Sequence, residues 1–252
     1  MTTNQATSMP ISIAVDVNDK WLYRAAGIFA WALTLVFVIE LGLGVALGKL
    51  PGSSGLAWLS FVNAKSGAWS AIIYVTLISD LLFLMVYSAL YLALRSVSRG
   101  LMLIATVLAI LGTVLDEVIS NANFGSLLTL GSQYSGAGTA AQRAADVAAA
   151  DYAAAMLSSR LEGLFAFVIP AVALVLIGIV MLRSPFGRRT AYVGIAAGVF
   201  DLLQITGWDL AALFNTVLQA VFFALVGRCL YSCYAAPAPA VPADLSEDPL
   251  SV

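Results

Sequence analysis

Acidic side chains interrupt the long apolar stretches of this 252-residue sequence, and their types and spacing favour binding of a cation or a polar group. Asp116 and Glu117 stand side by side behind a long uncharged run, and Glu40, Asp80 and Asp201 lie in three other apolar stretches. A carboxylate inside hydrocarbon is costly, so it normally faces the interior of a helix bundle or a water-filled cavity. The sequence therefore predicts a polar centre within a membrane protein.

Further polar side chains accompany these acids. At about 1.5 Å of rise per residue, the acids fall in the middle and the outer third of the predicted spans, with Glu162 at the outer rim. Arg160 is the only cation near them in the sequence, so the acids outnumber their counter-charges. No catalytic residue is predicted. The candidate ligand-binding residues are Glu40, Asp80, Asp116, Glu117, Asn121, Arg160, Glu162, Asp201, Gln204, Asn215 and Gln219.

Two tyrosines follow Asp80 on roughly the same helical face. Tyr87 and Tyr91 come about two and three turns after it, close to the end of the same apolar stretch. Aromatic rings are enriched at the boundary between membrane and water. We therefore expect both tyrosines to belong to the interfacial belt rather than to the polar centre.

The composition identifies the solvent of this chain as a lipid bilayer. Hydrophobic residues make up 61% of the sequence and charged residues 10%, whereas soluble domains carry about 25% charged residues. The net charge of −2, without a basic patch, indicates no nucleic-acid partner. Histidine is absent, which excludes His-ligated haem, His-based zinc sites and Ser-His or Cys-His triads. No cofactor is expected.

The two cysteines do not point to a redox or metal site. Cys229 and Cys233 are four residues apart near the end of the last apolar stretch. A redox or metal motif calls for a C-x-x-C spacing or for additional ligands. We interpret both as reduced thiols at a membrane edge.

The first apolar stretch is longer than the apolar region of a signal peptide, which favours an uncleaved anchor.

The apolar segments predict an all-α polytopic membrane protein with six transmembrane helices, because about 20 apolar residues cross a bilayer as a helix. Residues 1–20 are expected to be a flexible cytoplasmic arm, residues 21–233 the transmembrane domain, and the Pro- and Ala-rich residues 234–252 a disordered cytoplasmic tail. The predicted spans are about 22–47, 68–94, 100–130, 161–182, 190–206 and 210–231.

Three local features modify this arrangement. Residues 131–159 are rich in alanine, the best helix former, but too polar to cross a bilayer, and they predict an extracytoplasmic helix over about 139–157. Pro170 lies inside the fourth span, where the missing N–H predicts a kink. The fifth span carries Gly194 and Gly198 at the spacing of close helix packing.

The distribution of Lys and Arg predicts the orientation. Six spans place both termini on one side of the membrane, and cations near span ends accumulate on the cytoplasmic side. Eight cations fall on the terminal side and four on the opposite side, which indicates that both termini lie in the cytoplasm. The eight are Lys20, Arg24, Arg95, Arg99, Arg183, Arg188, Arg189 and Arg228, and the four are Lys49, Lys65, Arg143 and Arg160.

Two segments carry a resemblance to a known family. Residues 79–110 contain Ala89-Leu90-Tyr91 and then Leu94-Arg95 before a short basic link, and residues 178–205 contain a second basic link before a Gly-containing span. Together with Arg24-x-x-Gly27, these patterns resemble the bacterial membrane family known only as domain of unknown function 4386. The resemblance covers about a quarter of the chain. It implies a six-helix bacterial inner-membrane protein and carries no activity and no functional residue.

Three functional interpretations stay open at this point. In the first, a water-accessible acidic pocket in the outer half of the bundle binds or translocates a small polar or cationic ligand. In the second, the acids are neutral and only hold helices together, as in a structural or regulatory membrane subunit. In the third, carboxylates act in an intramembrane enzyme as acid and base or as metal ligands. No internal repeat of the kind common in transporters is visible, and oligomeric state is not predicted.

Overall fold

The computed structural model describes residues 20–235, and this part of the chain is helical throughout, with no β-strand. Five helical stretches within it are long and apolar enough to cross a membrane: Lys20–Leu47, Ser66–Leu94, Arg99–Gly136, Ala140–Met181 and Leu210–Ser232. The prediction of an all-α protein with membrane-spanning helices is confirmed at this level. The predicted arm before Lys20, the tail after Ala235 and the side chain of Cys233 lie outside the described residues.

Ten α-helices follow one another along the described chain. They are α1 (Lys20–Leu47), α2 (Gly55–Ala64), α3 (Ser66–Leu94), α4 (Arg99–Asp116), α5 (Ala122–Gly136), α6 (Ala140–Leu157), α7 (Arg160–Gly163), α8 (Ile169–Met181), α9 (Gly187–Leu203) and α10 (Asp209–Ala235). A π-helical turn, Glu117–Asn121, joins α4 to α5, and a second, Leu164–Val168, joins α7 to α8. A 3₁₀ turn, Gln204–Thr206, extends α9.

Pro170 accounts for the second π-turn. Proline has no N–H to donate to the preceding turn, and its ring clashes with the carbonyl four residues earlier, so the helix cannot run through it regularly. The structure meets this constraint by widening the turn immediately before Pro170, over Leu164–Val168. The sequence predicted a kink at Pro170, and the structure has a π-turn that ends two residues before it.

The bundle is organised around two apolar clusters. The larger one fills the space between α1, α3, α4, α8, α9 and α10, with Leu33, Leu90 and Phe222 fully buried in it. The smaller one joins the end of α1 to α2, α3, α5 and α6 around Trp58 and Trp69. Along α1, α3 and α4, the acidic residues lie between the positions that belong to these two clusters. The polar centre therefore occupies the level between two apolar layers.

Helix α6 contributes to the smaller cluster. Its residues Ala150, Ala153 and Ala154 are buried against α2 and α5. Its Asp151 carboxylate accepts a hydrogen bond of 2.6 Å from the N–H of Gly55, in the first turn of α2. A Cβ at Gly55 would overlap the backbone at Asp151, so glycine is required for this approach.

Helix α9 is wedged between two neighbours. A Cβ added at Gly194 would lie 2.7 Å from Cε2 of Phe222 in α10, and one at Gly198 would lie 2.8 Å from the carbonyl oxygen of Ala171 in α8. The two glycines, one turn apart, therefore permit close approach to two different helices. The prediction that they serve helix packing agrees with these contacts.

We expect Gly198→Ala to lower the free energy of unfolding by about 1–3 kcal/mol, because the added methyl overpacks the contact with Ala171. Unfolding of the detergent-solubilised chain by SDS titration measures this change. Gly42→Ala in the interior of α1 is the matched control, since a Cβ there meets nothing within 4 Å. It is expected to be neutral or to stabilise by up to about 1 kcal/mol. Equal effects at the two glycines would contradict the packing at Gly198.

Candidate functional site

At the π-turn Glu117–Asn121, the adjacent acids Asp116 and Glu117 are linked to different helices. Asp116 accepts a hydrogen bond from the hydroxyl of Ser120, and Glu117 accepts one of 2.5 Å from the Nδ2 of Asn121. Both pairs are separated by four residues, and neighbouring residues on a helix point about 100° apart. Ser120 continues the first pair towards α7, and Asn121 continues the second towards α3. This turn is thus the junction of two polar networks.

In the first network, one hydroxyl serves two carboxyl groups. The Oγ of Ser120 lies 2.5 Å from Oε1 of Glu162 and also contacts Oδ1 of Asp116. A serine hydroxyl carries a single hydrogen, so it can donate only one of these bonds. The other contact is a hydrogen bond when that carboxyl group is protonated and donates to Oγ of Ser120. The second oxygen of Glu162, Oε2, is buried without a partner in the described part of the chain.

The second network centres on the amide of Asn121, which is 5% exposed. Its Nδ2 lies 2.5 Å from Oε2 of Glu117 and 3.5 Å from Oδ2 of Asp80. Its Oδ1 is buried and accepts no hydrogen bond from residues 20–235. Asn121 thus connects the acids of α3 and of the π-turn through its donor group alone.

The third network fixes Asp201 from two directions. Oδ1 of Asp201 accepts hydrogen bonds from Nε2 of Gln204 at 2.7 Å and from Nδ2 of Asn215 at 3.0 Å. Nε2 of Gln219 in turn donates to Oδ1 of Asn215 at 3.1 Å. All four side chains belong to α9, the 3₁₀ turn after it and α10. Oδ2 of Asp201 receives no hydrogen bond from the described residues, so it is available to another donor.

Glu40 has one long contact with a protein donor. Its Oε1 lies 3.3 Å from Oγ of Ser79, but this hydroxyl also lies 2.8 Å from the carbonyl oxygen of Thr76. The single hydrogen of Ser79 is better placed for the carbonyl, because the shorter distance is the usual one for a hydroxyl donor. Glu40 also lines an open groove of about 670 Å³ between α1 and α10. It therefore borders both the polar centre and this groove.

A cavity of about 300 Å³ lies among these networks. Helices α1, α3, α4, α8, α9 and α10 all contribute to its wall, and no Lys or Arg of the described chain lines it. Buried or half-buried carboxyl groups therefore face a common space without a positive partner. The polar part of the wall includes Glu40, Asp80, Thr113, Asp116, Asp201 and Gln219.

The predicted site residues divide into three groups. Five of them line the cavity, namely Glu40, Asp80, Asp116, Asp201 and Gln219. Five more hold that wall by hydrogen bonds from behind or beside it, namely Glu117, Asn121, Glu162, Gln204 and Asn215. Arg160 stands apart, because its side chain is exposed and makes no hydrogen bond or ion pair within the described residues. It does not neutralise the acids.

The structure places Tyr87 inside the bundle and not at the membrane interface, where it was predicted. Its side chain is 6% exposed and lines the cavity beside Phe83, whereas an interfacial position was expected. The signal for this placement was its spacing of seven residues from Asp80, which puts both side chains on one face of α3. Gly112 was also missed: a Cβ there would lie 2.9 Å from Cγ of Pro170, so glycine lets α4 approach α8 at the cavity wall.

The acids do not form a ready metal centre. Within residues 20–235, no group of three or more Asp, Glu, Cys or His side chains is arranged to hold a metal ion. The acids lie on several helices, and three of them bond to a neutral side chain, namely Ser120, Asn121 or Asn215. The thiol of Cys229 is free and half-buried, and the cavity lining does not include it.

Comparison with protein-family models, with curated proteins and with solved structures gave no match. The class of protein that the geometry of the cavity defines is a multi-helix membrane protein with an acidic cavity inside the bundle.

Proposed function

We propose that the chain is a six-span protein of the bacterial cytoplasmic membrane, with both termini in the cytoplasm and α6 on the outer surface. Helix α9 is the span that adds to the five long apolar stretches and is the fifth in chain order. It has 17 residues and is extended by a three-residue 3₁₀ turn. Together these rise about 30 Å, which equals the thickness of the hydrocarbon core. The excess of Lys and Arg at the terminal side and the resemblance to domain of unknown function 4386 support the orientation and the bacterial membrane.

We propose further that the protein binds a small polar or cationic ligand in its acidic cavity, as a binding protein or as part of a translocation route. One observation carries this proposal: carboxyl groups from four helices line a space of about 300 Å³ that contains no Lys or Arg. Buried charges in proteins are paired or bind a cation, since an unpaired buried charge is costly. A positively charged or hydrogen-bonding ligand provides the missing partner.

The second candidate function is a structural or regulatory membrane subunit. The observation that favours it is that each inner acid already has a polar neighbour on its own or an adjacent helix, as Glu162 has Ser120 and Asp201 has Asn215. Such bonds hold helices together without any ligand. In this case the cavity is a closed packing defect, so access of water to it distinguishes the two functions.

Thiol labelling tests whether the cavity opens to water. In a chain with Cys229→Ser and Cys233→Ser, we expect Thr113→Cys to react with a membrane-impermeant reagent added from outside, because Thr113 lines the cavity. The next residue, Val114, is 46% exposed on the apolar surface of the bundle, and Val114→Cys is the matched control with low expected reactivity. Gln142→Cys on exposed α6 reports full access. Unreactive Thr113→Cys in folded protein would favour the structural subunit.

A further inference from the structure

One side of the acidic cavity is aromatic. Phe37, Phe83 and Tyr87 line the same space as the carboxyl groups. The rings of Phe83 and Tyr87 are stacked with centroids 5.6 Å apart, and Phe37 meets Phe83 edge-on at 5.9 Å. The cavity thus combines an acidic wall with a rigid aromatic wall, a pairing that a purely inorganic cation does not need.

The hydroxyl of Tyr87 is a second, independent indication of a ligand. The residue is 6% exposed and lines the cavity, and no hydrogen bond to its hydroxyl occurs within residues 20–235. Asp80 and Asp201 line the same cavity. Because Tyr87 borders the cavity and its hydroxyl has no hydrogen-bond partner in this part of the chain, the hydroxyl can accept a hydrogen bond from a polar group inside the cavity.

The arrangement of the acids disfavours a bare divalent metal. Calcium takes six to eight oxygen ligands and magnesium an octahedron of them, whereas the described residues contain no cluster of three acids fit for a metal. An ammonium group instead needs a few acceptors around three hydrogens, and aromatic faces attract cations as well. The cavity volume of about 300 Å³ is at the small end of the range for organic ligands.

We propose that the cavity binds an organic ammonium ion that carries a small apolar or aromatic group. Its ammonium lies at the acidic wall between Asp80 and Asp201, where the Tyr87 hydroxyl supplies a further acceptor. Its apolar group lies against Phe83 and Phe37. This inference rests on the proposed function, because it names the ligand class of the same cavity.

A series of three probes tests the ligand class by calorimetric titration of the full chain in nanodiscs, with empty nanodiscs subtracted. Phenethylammonium is expected to bind, and ethylammonium at least about 10-fold more weakly, because it lacks the group that covers the aromatic wall. The neutral 2-phenylethanol is expected to show no saturable binding, because it cannot pair with the acids. Equal affinity for the two ammonium ions would overturn the inference while the proposed function stands.

Variants locate the site. Asp80→Asn is expected to weaken phenethylammonium binding at least about 10-fold, Tyr87→Phe about 2- to 10-fold and Phe83→Leu about 2- to 5-fold. The matched controls are Tyr192→Phe, on an exposed tyrosine, and Phe200→Leu, whose ring contacts Trp208 and Phe214 away from the cavity lining. Both controls are expected to bind as the parent does.

Two results separate this inference from the proposed function. If no probe binds while Thr113→Cys still reacts with the impermeant reagent, the ammonium assignment is wrong and an open acidic cavity remains. If no probe binds and Thr113→Cys is unreactive, both proposals fail. Tyr87→Phe changes one atom of a buried ring, so it keeps the test decisive even if Asp80→Asn does not fold. Unchanged binding in both Tyr87→Phe and Phe83→Leu would also overturn the inference.

Discussion

Asn215→Leu is expected to lower the free energy of unfolding by about 3 kcal/mol. Asn215 is 6% exposed, donates to Oδ1 of Asp201 and accepts from Gln219, so leucine removes both bonds at once. Asp201 then keeps only the bond from Gln204, and Nε2 of Gln219 loses its acceptor. Each buried polar group that loses a partner costs about 1–3 kcal/mol. SDS titration of the purified protein in mixed micelles measures the change.

The double variant Asp201→Leu, Asn215→Leu is the control for this prediction. Replacing both partners of a buried hydrogen bond with apolar groups can be nearly neutral, so we expect it to regain part of the lost stability. The regain is incomplete because Gln204 and Gln219 each lose an acceptor. Losses that simply add, with no regain in the double variant, would contradict a direct coupling between the two side chains. The double variant is also expected to lose ligand binding, because Asp201 lines the cavity.

Ser120→Ala is expected to destabilise the protein by about 3 kcal/mol as well. The substitution removes the one hydroxyl that lies between Asp116 and Glu162, and the second oxygen of Glu162 is already buried without a partner. Both carboxyl groups then lose a hydrogen-bond partner at a cost of about 1–3 kcal/mol each. The same SDS titration provides the measurement.

Two control variants accompany the Ser120 prediction. Ser120→Thr keeps the hydroxyl and is expected to retain most of the stability, despite the added methyl. Ser126→Ala removes an exposed hydroxyl that bonds only to the carbonyl of Ala122 in its own helix, and it is expected to change stability by less than about 0.5 kcal/mol. If Ser120→Ala and Ser126→Ala behave alike, the bridge between α7 and the π-turn contributes nothing measurable.

Composition and apolar run length were sufficient to predict an all-helical protein with several membrane-crossing helices. The signal is strong because a helix in hydrocarbon must satisfy its own backbone and expose apolar side chains over about 20 residues. Helix neighbours were harder to predict. The spans are apolar on every side, so their periodicity does not show which face meets which neighbour, and the contacts of α1 with α10 and of α4 with α8 appear only in the structure.

The candidate site was also predictable from the sequence only in part. The expectation that intramembrane acids face the bundle interior selected Asp80, Asp116 and Asp201, which the structure brings to one cavity. The enrichment of aromatic rings at the membrane boundary gave Tyr87 the wrong place, because a tyrosine near the end of a span can occupy an interfacial or an interior position. Ser120 was also overlooked, because its role depends on Glu162 of another helix rather than on its own sequence neighbours.

The π-turn at Glu117–Asn121 has a consequence for comparing this chain with any relative. A π-turn holds one residue more than the α-turn it replaces, and the flanking α4 and α5 each keep their own register. A homologous span built as an uninterrupted α-helix therefore aligns with this one only across a one-residue gap within positions 117–121. A gap-free alignment of such a pair rotates everything on one side of the turn by about 100°, so it pairs lipid-facing residues with interior ones.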